Sequence, residues 1–261
     1  VHTYDELLEL VDLIDPVSYA KTRNHLSGAV TKLSPYITRG VIDLPTIRTR
    51  LYAQHDPADC EKLVQELAWR EYFQNVWWEH DDAIFTNLRF AREDWRHAEL
   101  VSALTNAETG IRILDESVRT LYETGYMHNH ARMWVASLAC NLVRAHWFPM
   151  GQWLYYHLMD GDLASNFLSW QWVAGTSVNK RYTLNQALID GCSGSSQSDS
   201  WLTMPREDFL SSEPPAHFLG TEAPQFVIDY PASDTIPHLS GMAVHLYTPW
   251  TLDPTWRAEE V

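Results

Sequence analysis

Cysteine is scarce in this chain of 261 residues. Cys60, Cys140 and Cys192 are scattered and odd in number. They offer no disulfide framework and no iron–sulfur cluster of the usual four-thiolate kind. Basic residues are scarce too: 19 Lys and Arg stand against 34 Asp and Glu, a net charge of −15. Non-specific binding to long duplex DNA depends on phosphate neutralisation, so this balance argues against it, and any nucleic-acid contact needs a local basic patch. Long apolar runs are missing. The longest, around residues 133–143, holds Ser137, Cys140 and Asn141 and is too short to span a bilayer. The opening VHTYDELLEL is acidic and amphipathic rather than a secretion signal, so a cytoplasmic location is expected. No GxGxxG, GKS/GKT, GxSxG or HExxH occurs. The commonest dehydrogenase, phosphate-loop, hydrolase and zinc-protease readings fall with them.

What is present is helical periodicity. DELLELVDLI, CEKLVQELAWREYFQNVWW, ILDESVRTLYETG and MHNHARMWVASLACNLV all space their apolar residues for one helix face. Gly40 and Gly125 read as stops, and Pro149 as a boundary before the next helix. An all-α body over residues 1–190 is predicted. From about residue 192 the pattern changes, and eight of the thirteen prolines lie beyond residue 200. Residues 191–261 are read as an irregular extension. Its aromatics, Trp201, Phe209, Phe218, Phe226, Tyr230 and Trp250, suggest that it drapes on the body.

Four short segments carry polar chemistry on apolar helices. EKLVQELAWREYF puts Glu66, Trp69 and Arg70 on one face, and buried charges must be paired. An internal Glu66–Arg70 ion pair under a packing Trp is the plain alternative to a site. MHNHARM aligns Asn129, Arg132 and Met133; His128 and His130 diverge on a helix and have no third partner, so a metal is not expected. In MDGDLASN, Asp162 is placed as an N-cap, leaving Asp160 free to pair with a buried arginine or meet a ligand. VTKLSPYITRG sets Thr31 and Ser34 before a proline-initiated helix, an arrangement that suits a phosphate or simply a Ser N-cap.

DLASNFLSWQWVAGT adds one more oddity. Asn166 and Trp170 share a helix face, while Trp172 stands about 200° round at roughly 100° per residue. The two indoles are expected to meet different surroundings.

In this order, TKLSPYITRG, QELAWREYF, TGYMHNHARMWVAS and YHLMDGDLASNFLSWQWVAGT resemble the FAD-binding helical domain of the DNA photolyase/cryptochrome family. The likeness runs from about residue 10 to 180. The sequence has no counterpart of the family's N-terminal antenna domain, which resembles a short, antenna-less branch. It also replaces an F-R-x-F-N-P-type segment with VNKRYTLNQALID.

The resemblance implies a U-shaped FAD. Tyr19 would border the flavin pocket, Thr31, Lys32, Leu33 and Ser34 would hold the pyrophosphate, and Arg70 and Asn129 would line the same pocket. Arg132 and Asp160 would pair beside the isoalloxazine, with Asp162 nearby and Asn166 facing flavin N5. Trp170, Trp147 and Trp95 would form an electron path to the surface. Glu66, Trp69, Asn129, Met133 and Trp172 would receive a cyclobutane pyrimidine dimer, with apolar walls replacing lost base stacking. Histidines stand at the Asn129 and Met133 positions in the (6-4) branch, so repair of that lesion is disfavoured. His130 takes the place of a phosphate-binding arginine; Lys180 and Arg181 are candidates to compensate. The implied partner is damaged DNA, with single strands favoured because an exposed lesion saves the unstacking cost. The competing implication is a cryptochrome-like photoreceptor or redox flavoprotein without repair.

Overall fold

A computed structural model describes residues 2–228 and 247–256. Helices dominate them: α1 (Tyr4–Asp12), α2 (Pro16–Thr22), α3 (Ser34–Thr38), α4 (Leu44–Gln54), α5 (Pro57–His80), α6 (Ser102–Thr105), α7 (Arg112–Thr124), α8 (Asn129–Ser137), α9 (Trp147–His157), α10 (Leu163–Ala174) and α11 (Gln186–Ser193). The described strands are β1 (Leu100–Val101) and β2 (Thr221–Glu222), an antiparallel pair. No described helix is long and apolar enough to cross a membrane.

Local sequence explains the helix ends. Asp56 caps α5 by accepting from the Ala58 N–H, with Pro57 at the first position, where a missing donor costs nothing. Gly125 and Gly175 close α7 and α10 at φ 70° and 82°, backbone that a side chain would strain. Two expected boundaries move. Pro149 lies inside the first turn of α9, a position whose N–H has no helical partner. Ser34 does not cap α3: the helix begins at Ser34, no side chain caps it, and the Ser34 hydroxyl goes elsewhere.

α8 continues into a π-helical turn, Leu138–Val143, ended by Arg144 at φ 64°. That apolar run is buried throughout and joins Trp134, Trp147, Trp153 and Trp170 in the main core. A second core gathers Leu7 and Val11 of α1, Ile47 and Leu51 of α4, and Cys60 and Leu63 of α5. α10 packs on α5, α8 and α9 and is the central helix of the site.

Much of the described part of the extension touches the body. Leu202, Phe209 and Phe218 are buried in the main core, each contributing about 1.5–3 kcal/mol by leaving water. The Trp201 Nε1–H donates to the Thr109 carbonyl at 2.7 Å, and the Leu252 N–H to the Arg39 carbonyl at 2.8 Å. Tyr230 falls outside the described residues.

Candidate functional site

The start of α10 gathers the polar side chains that the sequence scatters. Asp162 caps the helix through the Ser165 N–H (2.7 Å) and takes the Gln74 amide at 2.6 Å. Arg70 lies 3.4 Å from the same carboxylate and also donates to Thr38. Two residues earlier, buried Asp160 receives Arg132 Nη2 at 3.0 Å on both oxygens and the Ser34 hydroxyl at 2.6 Å. Thr38 donates to the Asp160 carbonyl at 3.1 Å, and Arg132 Nε to the Met127 carbonyl at 2.8 Å. Segments from α3, α5, α8 and α10 thus meet in one network of paired charges. An unpaired Asp160 at this depth would be costly, and Arg132 and Ser34 prevent it.

Thr38 and Gln74 belong to this network and were not singled out from the sequence. The signal was available: Thr38 lies one helical turn after Ser34, and Gln74 one turn after Arg70. The Glu66–Arg70 pair, the plain alternative to a site, is not formed. Arg70 turns to Asp162, while Glu66 meets Lys62 at 2.8 Å and Arg23 at 3.4 Å.

The loop before α3 has the geometry of an anion cradle. Lys32 is left-handed at φ 55° and Leu33 right-handed at φ −84°, a succession that turns neighbouring N–H groups to one side. The Leu33 N–H makes a long 3.4 Å contact with Thr31 Oγ1. The Lys32 and Ser34 N–H groups donate to no acceptor among the described residues. A cavity of about 740 Å³ is lined by Thr38, Arg70, Gln74, Tyr155, Asp162 and Trp250, among others.

Asn166 is 9% exposed and gives its amide N–H to the Gly151 carbonyl at 2.9 Å. Its Oδ1 has no donor among the described residues and is not sealed from solvent, so an acceptor remains open. Burial, with Glu66 adding to it, pushes the Tyr19 phenol up to about 12. Free N–H groups, hydroxyls, guanidinium groups and an open amide oxygen match the needs of FAD, with its dianionic pyrophosphate and polar ring edge. The residues present fit that group.

The indoles divide by depth. Trp170 and Trp147 are buried, and Trp147 Nε1–H donates to Asn87 Oδ1 at 2.8 Å. His146 stacks on Trp147 with ring centres 5.6 Å apart and meets half-buried Trp95 at 5.1 Å. Trp69 and Trp172 are exposed, at 52% and 44%. They stand on α5 and α10, which pack together, but no ring contact joins them among the described residues. Met133 lies 3.9 Å from the Asn129 amide. No group of His, Cys, Asp and Glu able to hold a metal occurs among the described residues. His128 instead caps α8 through the His130 N–H.

Comparison with known proteins converges on this region. Residues 63–198, just over half of the chain, match the sequence model of the FAD-binding domain of DNA photolyase. The chain is 32% identical to a deoxyribodipyrimidine photo-lyase of Streptomyces griseus, over 62% of this chain and 36% of that protein. It is 31% identical to a cryptochrome DASH of Gloeobacter violaceus, over 63% and 35%. The chain therefore spans about a third of the length of these relatives. A Synechocystis cryptochrome crystal structure shares the fold, with a TM-score of 0.66 over 72% of this chain and 43% of that one, at 24% identity.

Proposed function

Since this chain belongs to the DNA photolyase family through its FAD-binding domain, we propose that it holds FAD for light-driven repair of cyclobutane pyrimidine dimers in DNA, single strands preferred. Bound there, FAD would supply light absorption and one-electron chemistry. The chain's own residues have four tasks. The Lys32, Leu33 and Ser34 N–H groups and the Thr31 hydroxyl hold the pyrophosphate. Tyr19, Arg70, Asn129 and Asp162 border the pocket. The Arg132–Asp160 pair fixes the ring edge, and the open Oδ1 of Asn166 meets it. Trp170, Trp147 and Trp95 carry electrons inward from the surface.

The observation that carries the repair reading is the pair of exposed indoles, Trp69 and Trp172, on helices whose inner faces bear this polar network. A soluble domain gains nothing in stability from exposed tryptophans, whereas a flipped base gains a stacking surface. Met133 and Asn129 supply a further wall and a polar edge, and Glu66 a carboxylate that accepts from a base N–H.

One observation favours the second reading, a cryptochrome-like photoreceptor or redox flavoprotein. Arg181, a candidate to replace lost phosphate contacts, is committed to Asp94 at 2.8 Å. Illumination of the FAD-loaded, reduced protein with dimer-containing single-stranded and duplex oligonucleotides separates the two. Repair of single strands is expected. Failure on both substrates leaves the photoreceptor reading, and no flavin absorption even after added FAD removes both.

A further inference from the structure

A guanidinium covers the outermost indole of the proposed path. The Arg92 carbon lies 3.8 Å from the Trp95 ring centre. It is locked there: Nε donates to Asp94 Oδ1 at 2.9 Å and Nη1 to Asn141 Oδ1 at 2.9 Å. Further bonds reach the carbonyls of Ala174 (3.1 Å) and Cys140 (2.9 Å). The Arg92 side chain is 3% exposed. Asp94 is shared with Arg181, so the cluster of Arg92, Asp94 and Arg181 carries one net positive charge. Against the burial that would raise it, the two guanidinium groups hold the Asp94 carboxyl down to about 2.

Trp95 also meets His146, which stacks on Trp147. Burial, and then the Arg92 charge, lowers the His146 pKa and disfavours its charged form. Trp147, His146 and Trp95 form a ladder of ring contacts, and the fixed Arg92 cation lies over the Trp95 ring.

We propose that the fixed charge of Arg92 makes Trp95 harder to oxidise and so slows the step by which Trp95 gives an electron to oxidised Trp147. The outward step transfers one electron from Trp95 to oxidised Trp147. Trp147 becomes neutral, Trp95 becomes a radical cation, and its indole N–H proton then leaves to water. A neutral indole is attracted to a cation on its face, but an oxidised one is repelled. Inside the protein that repulsion is weakly screened. Trp147 holds its own proton, because the Asn87 amide oxygen that accepts the N–H is a poor base. Arg92 thus acts as a positioning residue that slows this outward step. This inference rests on the tryptophan path proposed above.

The test needs no flavin. Flash-generated ruthenium(III) tris-bipyridine serves as a one-electron oxidant, and transient absorption reads the tryptophan radicals. Subtracting the signal of each protein's own Trp95→Phe counterpart isolates Trp95 from the other indoles. Arg92→Gln is expected to raise the Trp95 share at least fivefold, roughly, by removing the facing charge. Arg181→Gln raises it less, and Asp94→Asn, which leaves two positive charges, lowers it below the parent. Should Arg92→Gln fail to fold, the half-exposed positions 181 and 94 still give opposite signs. Equal shares in all variants, or shifts in the same direction, overturn the proposal, since a packing role has no charge sign. A separate arm uses the FAD-loaded protein: unchanged photoreduction in Trp170→Phe sinks the path itself, while the flavin-free result still judges Arg92.

Discussion

Trp170 and Trp172 stand two residues apart on α10, and one is 2% exposed while the other is 44% exposed. The helix turns about 200° between them, so one ring enters the core and the other leaves it. Their truncation should therefore separate stability from binding. Trp170→Ala is expected to cost about 3–5 kcal/mol of folding stability, as a buried aromatic removed from a packed core. Trp172→Ala should leave the urea midpoint nearly unchanged and weaken binding of a dimer-containing oligonucleotide by roughly 1–3 kcal/mol. Equal effects on both measurements would break the division of faces.

The same helix gives a photochemical prediction. Trp170→Phe keeps an aromatic ring of similar shape, so FAD should remain bound. Photoreduction under blue light should slow at least tenfold, roughly, because a benzene ring is a far poorer one-electron donor than an indole. The absorption spectrum during illumination reads both properties in one sample.

Arg132 should matter to the fold before it matters to any cofactor. It holds both oxygens of buried Asp160 at 3.0 Å. Arg132→Met leaves that carboxylate uncompensated and is expected to destabilise the protein by about 3–5 kcal/mol in urea denaturation. Replacing both residues together should recover part of the loss, as a double-mutant cycle would show.

Glu66 is different in kind, since it and its partners Lys62 and Arg23 are partly exposed. Glu66→Ala should change stability by less than about 1 kcal/mol. It should leave flavin content intact and lower the quantum yield of dimer repair. A variant with full yield would remove Glu66 from the reaction.

Acid should weaken this protein through its histidines. Burial, with His130 and Arg132 adding to it, pushes His128 down to about 4, and burial lowers His97, His130, His146 and His157 as well. An unfolded histidine binds its proton near pH 6.5, before the folded one does. The stabilisation is therefore complete above pH 6.5 and is lost as the pH falls towards 4; His128 alone contributes on the order of 3 kcal/mol. His128→Asn keeps an N-cap at α8 and removes the titration. Its urea midpoint should fall less between pH 7.5 and pH 5 than that of the parent chain.

Much of this was legible before any coordinates. Helical periodicity announced the body because a helix must bury one stripe of its surface, and that requirement is written in local spacing. The same logic separated Trp170 from Trp172 and placed Asp162 as a cap. Spacing alone did not show the partners of Asp160 and Asp162, because they join segments 28 to 126 positions apart; the Arg132–Asp160 pair was implied only by the family resemblance. Asp160 could await an arginine, but only packing brought Arg132 and Ser34 to it together. Of the neighbours Glu66 and Arg70, Arg70 found its partner across space in Asp162, while Glu66 pairs with Lys62 one turn back on α5 and with Arg23. Arg92 showed no sign of its place over Trp95, since that contact depends on how the π-helical turn and the end of α10 present their carbonyls. The sequence determined which faces are apolar and which residues can carry charge or stack. Tertiary structure alone decided which charge meets which, because a buried ion is satisfied by geometry and not by order along the chain.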